Sequence, residues 1–127
     1  EKIESMMRYG LGNYSMNQAG VAAAVASYND FDFLNYSKSK IIEARQMIND
    51  AARTHGLKPA PSQTSFVFID LGDLNAETFR QEMAKRSILI RGIYQDYTHW
   101  SRVSTGLLPD VERFVKALPE VLDVMGA

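Results

Sequence analysis

The sequence predicts an α+β fold of two layers, in which long N-terminal helices precede a β-α-β-β-α segment whose small, mostly antiparallel sheet packs on helices. Three observations carry this expectation. Apolar residues recur at helical spacing in the first half, at Leu34, Ile41, Ala44, Ile48, Ala51 and His55. Three short β-favouring runs follow, at Ser65–Leu71, Ser87–Arg91 and around Arg102. Helical patterns alternate with those runs. A length of 127 residues with 46% hydrophobic content suits one domain with its own core. Residues 1–56 read as a connecting helical segment and 57–127 as a small α/β domain, together one structural unit.

Each element has a local reason. Ser15 followed by Gln18 is a capping-box pattern and predicts a helix from about Met16 to Tyr28. Asn29-Asp30 interrupts it, and the amphipathic stripe from Leu34 to His55 marks a second, longer helix. Gly56 is placed to end that helix in the left-handed conformation, and Pro59 and Pro61 prevent its continuation. Ser65–Leu71 is aromatic and β-branched, as a buried strand is. Asn75 can cap the next helix, with Leu74 and Phe79 as a hydrophobic staple and Phe79 and Met83 on its inner face. Ser87–Arg91 reads as a strand ended by Gly92, and a polar, aromatic loop leads to the strand around Arg102. Pro109 is acceptable in the first turn of a last helix, where Asp110 and Glu112 complement the dipole. Its stripe is Val111, Phe114, Val115, Leu118, Leu122 and Met125. Pro119 removes one hydrogen bond and clashes with the carbonyl of Val115, which predicts a kink or a restart.

Composition narrows the chemistry. Lys plus Arg is 14 and Asp plus Glu is 15, and a net charge of -1 offers no broad attraction for nucleic acid or acidic membranes. Neither partner is expected. The absence of cysteine excludes disulfides, thiolate nucleophiles and cysteine-ligated zinc and is compatible with a cytoplasmic location. The weakly polar stretch Ala19–Ala26 falls far short of the roughly 20 apolar residues of a membrane span. The sequence starts at Glu1 with no methionine, basic n-region or hydrophobic signal core, which reads as a processed product or an excised piece. Gly10-Leu11-Gly12 lacks the third glycine and the preceding strand of a nucleotide loop, and reads as a turn. His55 and His99 have no second histidine or cysteine at ligand spacing, so no metal site is expected. His99 can touch a ligand or simply pack at the surface. No serine stands in a G-x-S-x-G elbow. The aromatics and arginines of Arg91–Arg102 can stack bases on a sheet or cover a sheet edge.

Arg102 is the candidate functional residue. In Trp100–Gly106 the strand alternation places Trp100, Arg102 and Ser104 on one face and Ser101, Val103 and Thr105 on the other. A partly buried guanidinium there needs an anion, and its planar fork fits a carboxylate or phosphate. The alternative is an edge-strand arginine in water.

Four segments carry a resemblance in order and register: Pro61-Ser62-Gln63-Thr64-Ser65-Phe66-Val67-Phe68, Ile88-Leu89-Ile90-Arg91, Ser101-Arg102-Val103-Ser104-Thr105-Gly106 and Asp110-Val111-Glu112-Arg113-Phe114-Val115-Lys116-Ala117-Leu118. They resemble the small, C-terminal domain of class I/II pyridoxal-phosphate aminotransferases, most like the histidinol-phosphate branch. Asn13–Ala19 and the long helix resemble the segment that joins the large domain to the small one. The motif usually has an aliphatic residue at Ser101 and often an asparagine at Ser65, departures that bear on subgroup more than family.

The resemblance implies a parent enzyme that moves an amino group between an amino acid and a 2-oxo acid. It also implies pyridoxal 5'-phosphate in that parent, a large cofactor-binding domain as partner, and a cytoplasmic homodimer. Arg102 is then the residue that binds the substrate α-carboxylate, and Arg91 either approaches the substrate's distal group or stays a solvent-facing strand end. No Schiff-base lysine or cofactor-binding residue is expected in this chain. Ser37-Lys38 matches the lysine motif only superficially, because it lies inside the long helix. The 127-residue chain alone is expected to be inactive. The alternative function is a non-catalytic β-α-β-β-α module that senses a small ligand or binds RNA, and a third is a dimerisation domain.

Overall fold

A computed structural model describes residues 17–126, with seven named elements among them. Helix α1 spans Gln18–Asn29 and α2 Phe31–Thr54. They are followed by β1 (Lys58–Pro59), β2 (Phe66–Asp70), α3 (Ala76–Lys85), β3 (Trp100–Ser104) and α4 (Leu108–Met125). The α+β class is as predicted, but the order after the first two helices is β-β-α-β-α. The chain divides into two compact units between Tyr36 and Ser37.

In the first unit, Asn17 caps α1: its Oδ1 accepts hydrogen bonds from the backbone N–H groups of Ala19 (2.8 Å) and Gly20 (3.4 Å). The expected cap at Ser15 lies outside the described residues, and the helix begins at Gln18 rather than Met16 because asparagine satisfies the orphan donors just as well. The predicted break holds. Asp30 ends α1 and its Oδ1 accepts from the N–H of Phe33 at 2.9 Å, starting α2.

In the second unit, Ala44, Ile48, Ala51 and Ala52 of α2 are buried in the core. His55, the C-terminal end of the predicted stripe, is exposed because the helix has already ended at Thr54. Leu34, its other end, is also exposed and belongs to the first unit. Gly56 follows with φ +76°, the left-handed conformation its position predicted.

The sheet is antiparallel throughout, in the order β1-β2-β3. Strand β2 pairs with β3 so that Phe68 faces Arg102 and Ile69 faces Ser101. The ladder runs on past both ends: Thr105 donates to the carbonyl of Ser65 (2.8 Å) and Leu71 to that of His99 (2.9 Å). Val67, Ile69, Ser101 and Val103 are buried on the inner face, whereas Phe66, Phe68, Trp100 and Arg102 are half-buried on the outer one. Ser65–Leu71 is therefore buried on one face only, not throughout as the run of apolar residues suggested.

Asn75 caps α3 as predicted, accepting from the N–H groups of Glu77 (2.9 Å) and Thr78 (3.1 Å). Phe79 and Met83 are fully buried beneath the sheet's inner residues in one core. Burial of side chains of this size contributes roughly 1.5–3 kcal/mol each.

Two expectations are corrected. Ser87–Arg91 is not a strand, although its residues alternate: Ile88 and Ile90 pack on the core, and Leu89 is 86% exposed. Ser87 turns the chain with φ +60°, and Ile88 donates to the carbonyl of Met83, a helix-end bond instead of a ladder. The third strand is Lys58–Pro59, at the sheet edge where a proline is tolerated. Second, of the kink or restart expected at Pro119, the restart does not occur. Helix α4 continues to Met125, with Leu118, Val121 and Leu122 buried around the proline, so packing offsets the lost hydrogen bond.

Candidate functional site: an arginine on the outer face of the sheet

The outer face of β2 and β3 brings one cation among aromatic rings. The guanidinium carbon of Arg102 lies 4.2 Å from the centroid of the Phe66 ring. Phe68, directly across the ladder from Arg102, stacks on Trp100 with centroids 5.1 Å apart and planes at 20°. Tyr97 meets Phe68 edge-on at 5.9 Å. This arrangement follows from strand periodicity: residues 66 and 68 share a face, as do 100 and 102, and antiparallel pairing puts the two sets side by side.

Arg102 stands out electrostatically. Its Nε is buried and has no hydrogen-bond partner, and among the described residues no carboxylate pairs with it. Arg53 pairs with Asp50, Arg80 with Glu77, Arg86 with Glu120 and Glu82, and Arg113 with Asp110, whereas Arg45 donates to the carbonyl of Thr64 and Arg91, also without an acid among the described residues, is exposed. A half-buried guanidinium without a counter-charge is costly in isolation and is satisfied by an anion that meets its in-plane N–H groups.

Arg91 is exposed, with its guanidinium carbon 5.1 Å from the Tyr94 ring centroid. It lines a cleft of about 390 Å³ between the Ser87–Arg91 segment, the end of β3 and the start of α4. Ile88, Ile90, Val103 and Phe114 supply its apolar wall. Arg102 is not among the residues lining it, so the two predicted arginines do not share one cavity among the described residues. Beside this segment, Arg80 grips Glu77 with two hydrogen bonds, Nε to Oε2 at 2.9 Å and Nη2 to Oε1 at 2.5 Å. With help from the Gln81 amide, this holds the Glu77 carboxyl down at about 2 and raises the Arg80 pKa.

The remaining candidates are dispersed. Lys38 is exposed on α2, Lys58 on the edge strand and Lys116 on α4; Lys40 pairs with Glu43 at 2.8 Å and Lys85 with Glu82. None of them lines the cleft beside Arg91. His55 and His99 are exposed, and no group of three or more His, Asp or Glu could hold a metal among the described residues. Gly10-Leu11-Gly12 lies outside them. Sequence reasoning missed Phe66 as part of the site, although the alternation of Phe66 and Phe68 with Val67 and Ile69 already places both rings on the face opposite the aliphatic one.

No described helix is long and apolar enough to cross a membrane. The chain is similar over 87% of its length to a histidinol-phosphate aminotransferase of Methanopyrus kandleri, at 30% identity over 120 residues and 30% of that protein's length. A solved chain from Erwinia carotovora atroseptica superposes with a TM-score of 0.84 and 30% identity, over 95% of this chain and 34% of that one. The Sinorhizobium meliloti histidinol-phosphate aminotransferase, solved in complex with pyridoxal-5'-phosphate, superposes with a TM-score of 0.75 and 28% identity over 94% and 34% of the two chains. The chain thus spans about a third of the length of the relatives it matches. The family model for aminotransferase class I and II matches residues 1–118, and with this sheet and these relatives the chain belongs to that family.

Proposed function

We propose that this chain is the C-terminal small domain, with its connecting helices, of a pyridoxal-phosphate-dependent aminotransferase, and that Arg102 binds the substrate α-carboxylate. The parent transfers an amino group between an amino acid and a 2-oxo acid. The observation that carries the proposal is Arg102 itself: a half-buried cation with a buried, unpartnered Nε, on the sheet face away from the core. A carboxylate meeting its terminal nitrogens in two parallel hydrogen bonds supplies the missing counter-charge and fixes the amino acid's orientation.

The cofactor, when bound, supplies the electron sink for the reaction at the α-carbon. The residues described here do not fit it: exposed helical and edge-strand lysines offer no enclosed amine, so its site is assigned to the rest of the parent and no step is routed through this chain's lysines. Residues 1–56 and 57–127 take the roles of connecting segment and small domain. Val21, Val25, Tyr28, Phe31 and Phe33 are exposed on the first two helices, which supports a large domain of the same enzyme as their partner. The parent is a cytoplasmic homodimer in this reading, and Arg91, at the mouth of its own cleft, receives the distal group of the substrate. Carboxylate binding by Arg102 also draws the small domain toward the substrate, a closure of the hinge type.

The test is Arg102→Ala in the full-length parent. It is expected to cost roughly 2 to 5 kcal/mol in kcat/KM, the scale for removing one partner of a buried charge pair. Wild-type kinetics would overturn the assignment.

A further inference from the structure

Among the described residues, the cation–ring contact of the Arg102 guanidinium is with Phe66, whose ring centroid lies 4.2 Å from its central carbon. Nothing holds it by hydrogen bonding: Nε is buried with no acceptor, and no side-chain or backbone oxygen replaces one. Without a hydrogen bond the plane of a guanidinium is set by packing alone, and a bidentate grip on a carboxylate requires that plane to be set beforehand. Register supplies the solution. Phe66 pairs with Ser104 and Phe68 with Arg102, so Phe66 is the diagonal neighbour of Arg102 on the same face, within reach of a long side chain. A ring lying against the guanidinium covers one of its faces and leaves its in-plane N–H groups for an anion.

We infer that Phe66 is the positioning residue for Arg102: it fixes the plane in which the guanidinium meets the substrate carboxylate. This rests on the carboxylate-binding reading above. The role belongs to the flat ring and not to apolar bulk, since a branched aliphatic side chain fills comparable space without offering a face to a cation.

The experiment uses the full-length parent and follows steady-state kinetics for an amino acid donor. Phe66→Leu is expected to raise KM about tenfold while kcat changes less than threefold, and Phe66→Tyr, which keeps the ring, to restore KM to within about threefold of wild type. In an Arg102→Ala background, Phe66→Leu is expected to add nothing, because the group it positions is gone. Thermal melts of each variant accompany the kinetics, and Phe66→Tyr preserves the test if the leucine variant folds poorly. Three results would overturn the inference: an unchanged KM in Phe66→Leu, a KM in Phe66→Tyr as poor as in the leucine variant, or losses that multiply in the double variant. If any of these accompanies a damaged Arg102→Ala enzyme, the positioning role fails and the carboxylate reading stands. Wild-type kinetics in Arg102→Ala overturns both.

Discussion

Ser101 offers a stability test in which the gain comes from removing a polar atom. The residue is 1% exposed, faces fully buried Ile69 across the ladder, and shares the inner sheet face with Val67 and Val103. Its Oγ has no hydrogen-bond partner. A buried hydroxyl without a partner costs about 1–3 kcal/mol, and deleting one oxygen from a small side chain forfeits only a fraction of that in lost contacts. Ser101→Ala is therefore expected to stabilise the fold by about 1 kcal/mol. For a urea slope of about 1.5 kcal/mol/M this moves the unfolding midpoint up by roughly 0.7 M. The assay is urea unfolding of the 127-residue chain followed by circular dichroism, with Ser104→Ala, an exposed neighbour on the opposite face, as a control expected to stay within about 0.5 kcal/mol of wild type. A Ser101→Ala variant less stable than wild type by 1 kcal/mol or more would refute the reasoning, because it would mean that the hydroxyl is satisfied in the folded protein.

Two further substitutions test the α3 end of the domain. Asn75→Ala removes the acceptor for the N–H groups of Glu77 and Thr78 and is expected to cost about 1 kcal/mol, read as a lower urea midpoint with an unchanged slope. The Glu77 carboxyl is held at a pKa of about 2 in the folded protein, below its ordinary value of 4.5, because Arg80 and Gln81 donate hydrogen bonds to the charged form. A depressed carboxyl contributes stability that is fully present above the unfolded value and is lost as pH falls through the folded one. Stability should accordingly decline between about pH 4.5 and about pH 2, and Glu77→Gln should flatten that decline in urea titrations run across the window. An identical pH profile in the variant would contradict it.

Much of the architecture was legible because its signals are local. The side-chain oxygen of Asn75 caps a helix in any context, and Gly56 takes the left-handed turn that other residues resist. Strand alternation alone assigned Trp100 and Arg102 to a common face. What was not legible depended on partners distant in sequence. Ser87–Arg91 has strand-like composition, but a strand needs hydrogen-bonded neighbours, and here Ile88 bonds to the end of α3 while the strand beside β2 is Lys58–Pro59, two residues too few to carry a periodic signal. Pro119 reads as a helix breaker until Leu118, Val121 and Leu122 are seen buried on either side of it. The candidate site was half legible. Arg102 could be singled out from its strand, whereas the position of its guanidinium over the Phe66 ring is a diagonal relation between strands that only the β2–β3 register fixes.

The central claim, that Arg102 reads the substrate's α-carboxylate, is tested most directly by comparing two donors that differ only in that group. In the full-length parent, kcat/KM is measured for an amino acid and for the amine formed by its decarboxylation, in the wild type and in Arg102→Ala. The account predicts that the wild type strongly prefers the amino acid and that the substitution erases most of this preference, lowering kcat/KM for the amino acid by roughly 30-fold or more and leaving that for the amine nearly unchanged. A preference for the amino acid that survives intact in Arg102→Ala would contradict it.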